Sequence, residues 1–291
     1  SDVLGDPLDI IASGLTVDNE TTAQDAIDVL NRYDFIHSKQ YAETVQEVFD
    51  LLYEEASDEF LDSGRQSAIS QEVGDALDAM RAEQGIDLSN GSVQNLVIGN
   101  NATAVDAAGL EAVHRGYSPV MLCATQSEGD VGELAEYFVE LIRKISDPHT
   151  AANLLSDCLI SGGEPTVKLV PEVQRGMGGR NQQLVLAVIC RLFENETWRN
   201  AVRENPNACP FAFLSGGTDG EDGPTDAAGA FFDGTILHQI ARSCIDPNDF
   251  LKRNDAYHFF EQFGALIKTG ATGTNVCDIR MLLRHKTSGG N

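Results

Sequence analysis

Three short apolar segments of this chain end in glycine-rich, hydroxyl-bearing loops. The loops are Ser161-Gly162-Gly163-Glu164, Ser215-Gly216-Gly217-Thr218-Asp219-Gly220 and Thr269-Gly270-Ala271-Thr272-Gly273-Thr274-Asn275. An apolar run that stops at such residues reads as a buried strand that delivers its carboxyl end to a site. Glycine lets backbone N–H groups approach phosphate or carboxylate oxygens without a side chain in the way. One loop of this kind is ordinary turn chemistry. Three in one domain-sized stretch predict an anion site beyond the carboxyl ends of the strands of an α/β sheet.

The rest of the chain fits that frame. From residue 94 the pattern alternates: a strand at 94–98, an Ala-rich helix at 102–115 stopping at Gly116, a strand at 119–124 and a helix at 131–146. Strand and helix in alternation predict a parallel sheet with crossover helices. A second part begins near residue 157. It has predicted strands at 159–160, 166–170, 211–214, 266–267 and 279–283, a helix at 181–193 and short helices within 234–263. Upstream, Ser1-Asp2-Val3-Leu4-Gly5-Asp6 reads as the end of a buried strand, so further chain is expected before it. A helix is predicted at 21–33. Residues 41–62 read as an amphipathic helix with a solvated acidic face, and 66–84 as a second helix. The expected division is 1–156, 157–286 and a tail at 287–291.

Charge narrows the functional classes. The chain carries 45 acidic and 20 basic residues, a formal charge of −25. Such a chain repels phosphate backbones and anionic bilayers, which argues against nucleic acid and membrane as partners. The excess is uneven. Residues 1–156 hold 29 acidic and 7 basic side chains, and 157–291 hold 16 and 13, so an anion site belongs in the second part. The six cysteines show no CxxC pair and no zinc spacing, as expected of reduced, mostly buried thiols. P-loop, HExxH, GxSxG and protein-kinase signatures are absent from the sequence.

Two further loops carry candidate chemistry. Gly176-Met177-Gly178-Gly179-Arg180-Asn181-Gln182 opens a helix and puts an Arg fork beside helix N-terminal amides, an arrangement suited to a phosphoryl group. The run from Thr218 to Asp226 holds four acids in nine positions without EF-hand spacing. It reads equally as carboxylates for a magnesium ion and as Asp-Gly and Gly-Pro turns whose Asp side chains bond their own backbone.

At these loops the sequence resembles a known family. Ser161-Gly162-Gly163-Glu164, Gly178-Gly179-Arg180-Asn181-Gln182, the run from Thr218 to Gly229 and Thr272-Gly273-Thr274-Asn275-Val276-Cys277-Asp278 resemble the C-terminal (MOFRL) domain of class II glycerate kinases, in order and spacing. Ser1 to Asp6, Ile11-Ala12-Ser13-Gly14 and Val97-Ile98-Gly99-Asn100-Asn101 resemble the latter part of that family's N-terminal Rossmann-like domain. The resemblance implies an α/β chain made of an incomplete Rossmann-like parallel-sheet domain and a smaller α/β domain. Leu15 stands where the family usually has proline, and the family's upstream half, with the lysines held important for phosphoryl transfer, has no counterpart here.

What the resemblance implies is ATP- and Mg2+-dependent phosphorylation of D-glycerate to 2-phosphoglycerate, in a cleft between two domains. The alternatives are a hydroxypyruvate reductase and a non-catalytic fragment. Arg180, Asp219 and Glu164 are the expected catalytic residues. Asp2, Asp6, Asn101, Ser161, Gly162, Gly163, Gly178, Gly179, Asn181, Ser215, Gly216, Gly217, Thr218, Thr274 and Asn275 are expected to bind substrate or phosphate. Asp219, Asp222 and Asp226 are the expected metal ligands. The expected partners are small molecules, with a homodimer as the assembly to test, in the cytoplasm or mitochondria.

Overall fold

The computed structural model describes residues 1–11, 17, 21–32, 48, 50–53, 95–146 and 156–285. The chain divides into two compact units, one formed by 1–11 with 96–291 and the other by 12–95. In the second unit, helix α1 (Ala23–Arg32) starts at a reciprocal cap. The Asp25 carboxylate accepts from the Thr22 N–H and hydroxyl, and the Thr22 hydroxyl accepts from the Asp25 N–H. The expected helices at 41–62 and 66–84 and the tail at 287–291 lie outside the described residues, except for residues 48 and 50–53, which are helical.

Among the described residues the first unit is built on one six-stranded sheet. Its elements in chain order are α2 (Asn101–His114), β1 (Pro119–Cys123), α3 (Val131–Ser146), β2 (Cys158–Gly163), α4 (Arg180–Phe193), α5 (Glu196–Glu204), β3 (Phe211–Gly217), β4 (Gly229–Phe232), α6 (Gly234–Arg242), α7 (Pro247–Lys252), α8 (Ala256–Glu261), β5 (Leu266–Ile267) and β6 (Asp278–Arg284). The strand order is β1-β2-β6-β3-β4-β5. The expected parallel sheet is mixed. β1 and β2 are parallel, joined through α3, while β6 lies antiparallel between β2 and β3, and β4 is antiparallel to both β3 and β5. It follows that β1, β2, β3 and β5 all run the same way and bring their carboxyl ends to one edge. That direction gathers the three glycine-rich loops.

Helices cover both faces of the sheet. On one face Val105 and Ala112 of α2 pack on Cys158 and Ile160, with Ile279, Met281 and Leu283 of β6 against them. On the other face α3 and α4 pack on Phe213 and Leu282, and the rings of Phe138 and Phe213 lie 4.7 Å apart. Twelve of the fourteen residues of α4 are buried. Its sequence is apolar nearly all round, as a helix must be when it has neighbours on every side.

Three local expectations changed. Residues 95–100 form no strand, and Leu96 and Ile98 are 81% and 91% exposed; among the described residues no strand pairs with them. In 166–170 only Thr166 bridges, to Asp130. The strand β4 and the helix α5 were not anticipated, β4 because a four-residue run beginning Gly-Ala carries too little periodicity. The 156/157 boundary falls between β1 and β2, which pair over five positions. All six cysteines are free thiols; Cys123 and Cys244 are exposed and the other four buried.

Arg280 of β6 is the largest of the fully buried side chains, set in the sheet between Ser161 and Ser215. The Glu128 carboxylate receives its fork in a bidentate pair of 3.0 and 2.8 Å. Removing one partner of a buried pair leaves the other charge uncompensated. Glu128→Ala should therefore destabilise the protein by about 3–5 kcal/mol in urea unfolding. A loss under about 1 kcal/mol, the range of exposed pairs, would show that Arg280 finds another counter-charge.

Candidate functional site

The site forms where β2 and β3 end and β6 begins. In the register, Asp278 stands opposite Gly163 on one side and Gly217 on the other. Both glycines are needed for space. A Cβ at Gly163 would strike the Glu128–Arg280 pair, and one at Gly217 would come within 2.7 Å of the Glu221 carbonyl. Asp278 is fully buried. Arg180, the first residue of α4, satisfies it through Nε at 2.7 Å and a terminal nitrogen at 3.1 Å. The other terminal nitrogen of Arg180 lies 2.8 Å from Glu164 Oε1. Three of the five guanidinium donors are thus engaged, and the side chain remains 34% exposed. Burial works against the charge of Arg180, but Asp278 and Glu164 more than offset it, so the guanidinium stays protonated.

The end of α4 is not the free anion site that the sequence suggested. The Asp222 carboxylate, itself buried, accepts the Asn181 N–H at 3.0 Å, the Gln182 N–H at 2.8 Å and the Asn181 side-chain amide at 3.3 Å. It occupies the helix N-terminus as an internal anion. Asn181 is turned inward as well, accepting a hydrogen bond of 2.5 Å from the buried Ser215 hydroxyl. Gly179 has no room for a side chain because Asp222 packs on it, and Gly178 lies against the backbone of Ala256 and Tyr257.

The acidic run therefore splits. Asp222 caps α4. Asp226 accepts from the Tyr257 hydroxyl at 2.7 Å and from Lys268 at 2.9 Å, which hold its carboxyl below the usual carboxylate range. Asp219 bends the loop, its side chain accepting the Glu221 N–H at 3.1 Å. Both readings of the run were open on sequence; the turn bond of Asp219 uses its Oδ1 oxygen. Among the described residues, no group of three or more His, Cys, Asp or Glu is arranged to hold a metal ion.

Other expected residues do meet here. Asp2 comes to the start of β6, where its carbonyl faces the Cys277 thiol at 3.2 Å and its carboxylate accepts from Asn275 at 3.4 Å. Thr218 bonds the Cys277 carbonyl at 2.7 Å and receives the Val276 N–H at 2.8 Å. Asp6 accepts from Asn100, the side-chain cap of α2, at 2.6 Å. Asn101 donates to the carbonyls of Val276 and Asp278 at 2.8 and 3.1 Å, and fills the space beside Gly162. Gly216 lies in β3, where a Cβ would meet the Ala228 carbonyl at an ordinary 3.5 Å. The Ser161 hydroxyl is buried and has no partner. Thr274 is exposed and touches Thr272, whose hydroxyl and N–H tie the 268–275 loop to the carbonyls of Thr218 and Asp219.

Sequence reasoning missed Asp278 as a site residue, although it stood in the matched run; an acid opening a strand that alternates Ile279-Arg280-Met281 was the available signal. It also missed Asn100, which holds the Asp6 carboxylate, and Thr272, which bonds the carbonyls of Thr218 and Asp219. Cys277 has a left-handed backbone, φ 64°, and its thiol is pushed up to about 12 by burial and by Glu164 and Asp278. It is no nucleophile at neutral pH.

Comparison with known proteins supplies a second line of evidence. The MOFRL family matches residues 157–278, and a domain of unknown function (DUF4147) matches residues 1–50. The chain is 32% identical to a glycerate kinase of Danio rerio, covering 97% of this chain and 56% of that one. It is 32% identical to a glycerate kinase of Macaca fascicularis, covering 97% and 70%. The crystal structure of a glycerate kinase from Thermotoga maritima superposes with a TM-score of 0.66 at 28% identity, covering 98% of this chain and 55% of the other. The chain spans about half the length of most of the curated relatives it matches.

Asp222 yields a pH prediction. Burial pushes its carboxyl up to about 6, with the Asp278 charge adding to the rise and the amides of α4 opposing it. In the unfolded chain it titrates near 3.8. The folded state thus holds this proton to higher pH. The associated stability is complete below the unfolded value and is lost as pH rises through 6. Between pH 4 and 7, wild-type protein should lose up to roughly 3 kcal/mol that Asp222→Asn does not lose. Urea unfolding of both across that range is the check; parallel curves would mean that the cap stays ionised throughout.

Proposed function

The chain belongs to the glycerate kinase family, and we propose that it transfers the γ-phosphoryl group of ATP to the 2-hydroxyl of D-glycerate. The observation that carries this reading is the Arg180 fork, held by Glu164 and Asp278 at the shared end of β2, β3 and β6. Phosphoryl transfer asks for positioning and charge neutralisation more than for covalent help from the protein. A guanidinium fixed on both flanks, with two donors to spare, meets that need without reorganising. In the reaction the glycerate hydroxyl oxygen bonds to the γ-phosphorus, the bridging bond to ADP breaks, and the hydroxyl proton leaves to a carboxylate.

Of the three expected metal ligands, Asp222 and Asp226 have other work. Asp219 is then the carboxylate that would support a magnesium ion carried on the donor phosphates, or take the hydroxyl proton. One protein carboxylate suits magnesium, which keeps water and phosphate oxygens as its remaining ligands. Asp2 and Asn275, beside Arg180's partners, suit the hydroxyls and carboxylate of glycerate. The 156/157 seam is proposed as the boundary between the family's two domains, on the MOFRL match that begins at 157, with the sheet continuous across it. Among the described residues no helix is long and apolar enough to cross a membrane. Free thiols suit the cytoplasm or mitochondria, with small molecules and a second copy of the chain as partners.

Phosphorus NMR of the protein with ATP, magnesium and D-glycerate should show 2-phosphoglycerate and ADP. NADH oxidation with hydroxypyruvate instead would establish the reductase, and ATP binding without turnover the non-catalytic fragment. Arg180→Lys keeps the charge that Asp278 needs but loses the planar fork. It should fold and lose about a hundredfold in kcat. Turnover within a few-fold of wild type would remove Arg180 from the chemistry.

A further inference from the structure

A cavity of about 380 Å³ opens between α3 and the carboxyl ends of β1 and β2, within the size range of small-molecule sites. We infer that it takes the purine base of the phosphoryl donor, an inference that rests on the kinase reading above.

The walls exclude the other parts of a nucleotide. Leu134, Tyr137 and Phe138 supply apolar and aromatic surface suited to the faces of a flat ring. Neither Lys nor Arg lines the cavity, and the nearby Arg280 is already neutralised by Glu128, so a phosphate finds no counter-charge there. The charged groups that do line it are the carboxylates of Glu128, already paired with Arg280, and Glu133, which accepts hydrogen bonds and favours a ligand with N–H groups.

One polar group in the cavity lacks a partner. Ser161 is 9% exposed, and its hydroxyl has no hydrogen bond. A buried hydroxyl left unpaired is costly, and a rotation of the Ser161 side chain toward the cavity would let a ring nitrogen satisfy it. An amino-substituted heteroaromatic ring combines these requirements: apolar faces, an exocyclic amine for a carboxylate and a ring nitrogen for Ser161.

The position also suits a nucleotide. Gly162 lines the cavity, and two residues on, Glu164 holds Arg180. Three extended residues span at most about 10 Å. A base seated in the cavity would thus send its ribose and phosphates along the Gly162–Gly163 backbone toward the guanidinium. Placing the base at strand carboxyl ends agrees with the general location of ligands in α/β sheets.

Cys123 makes the inference testable without a mutation. It lines the cavity and is exposed, whereas Cys244, also exposed, does not line it. N-ethylmaleimide labelling of the protein is followed by peptide mass spectrometry, alone and with saturating ADP, adenosine or inorganic tripolyphosphate. ADP binding is measured in parallel by equilibrium dialysis. ADP and adenosine should slow modification of Cys123 at least about fivefold, because a seated ring blocks reagent access, and leave Cys244 unchanged. Tripolyphosphate should protect neither. If ADP binds and Cys123 labels at its free rate, or tripolyphosphate protects it as well as ADP does, the base site is wrong and the kinase reading stands. If dialysis detects no ADP binding, both fall. Leu134→Trp, which fills the cavity, should weaken ADP binding at least about tenfold and leave tripolyphosphate binding unchanged; equal ADP affinity in the two proteins would overturn the inference.

Discussion

One buried carboxylate organises this end of the molecule. Asp278 stands at the first position of the central antiparallel strand, between two glycines and buried from solvent. Its only adequate answer is a fork of N–H donors, and Arg180 provides it from the start of a helix 98 residues earlier in the chain. A pair of this kind adds little net stability over an apolar substitute, because desolvation cancels most of the attraction. What it adds is position. The pair fixes where α4 begins relative to β6, and Glu164 at the end of β2 then fixes the outer side of the guanidinium. Strand register, helix start and loop meet at one cation, whose orientation is settled before any ligand arrives.

The helix start shows a second economy. A helix exposes unpaired N–H groups at its beginning, and such groups are a ready-made site for phosphate. Here Asp222 takes them. The effect is to separate two duties that the sequence had merged: Asp222 stabilises the helix, and Arg180 alone faces outward. The glycines of the same loop serve packing more than anion binding, since Gly179 exists to admit Asp222 and Gly178 to admit the backbone of α8.

Much of this was legible in the chain. The limits of α3 and α4 followed from periodicity and flanking glycine or charge, because long amphipathic or apolar runs carry enough repeats to be read. The three glycine loops announced the site because strand direction forces them to one edge. What escaped was whatever depended on distant partners. Asp222 and Asn181 are 41 residues apart, and nothing local says that one caps the other. Asp226 looked like a metal ligand because its engagement with Tyr257 and Lys268 is a tertiary fact. The segment 95–100 has the apolar content of a strand, but a strand is defined by a neighbour, which residue content cannot supply.

The burial of α4 has a dynamic consequence. A helix enclosed on every side exchanges its amide hydrogens only when the surrounding core opens, so the base of the site moves with the whole domain or not at all. The 268–275 loop is the opposite case: exposed throughout, with left-handed glycines at 270 and 273 where a side chain would meet nothing. Its ties to Thr218 and Asp219 are surface hydrogen bonds open to competition from water. Amide exchange should therefore be fast in that loop and slow in α4, a contrast set by burial alone.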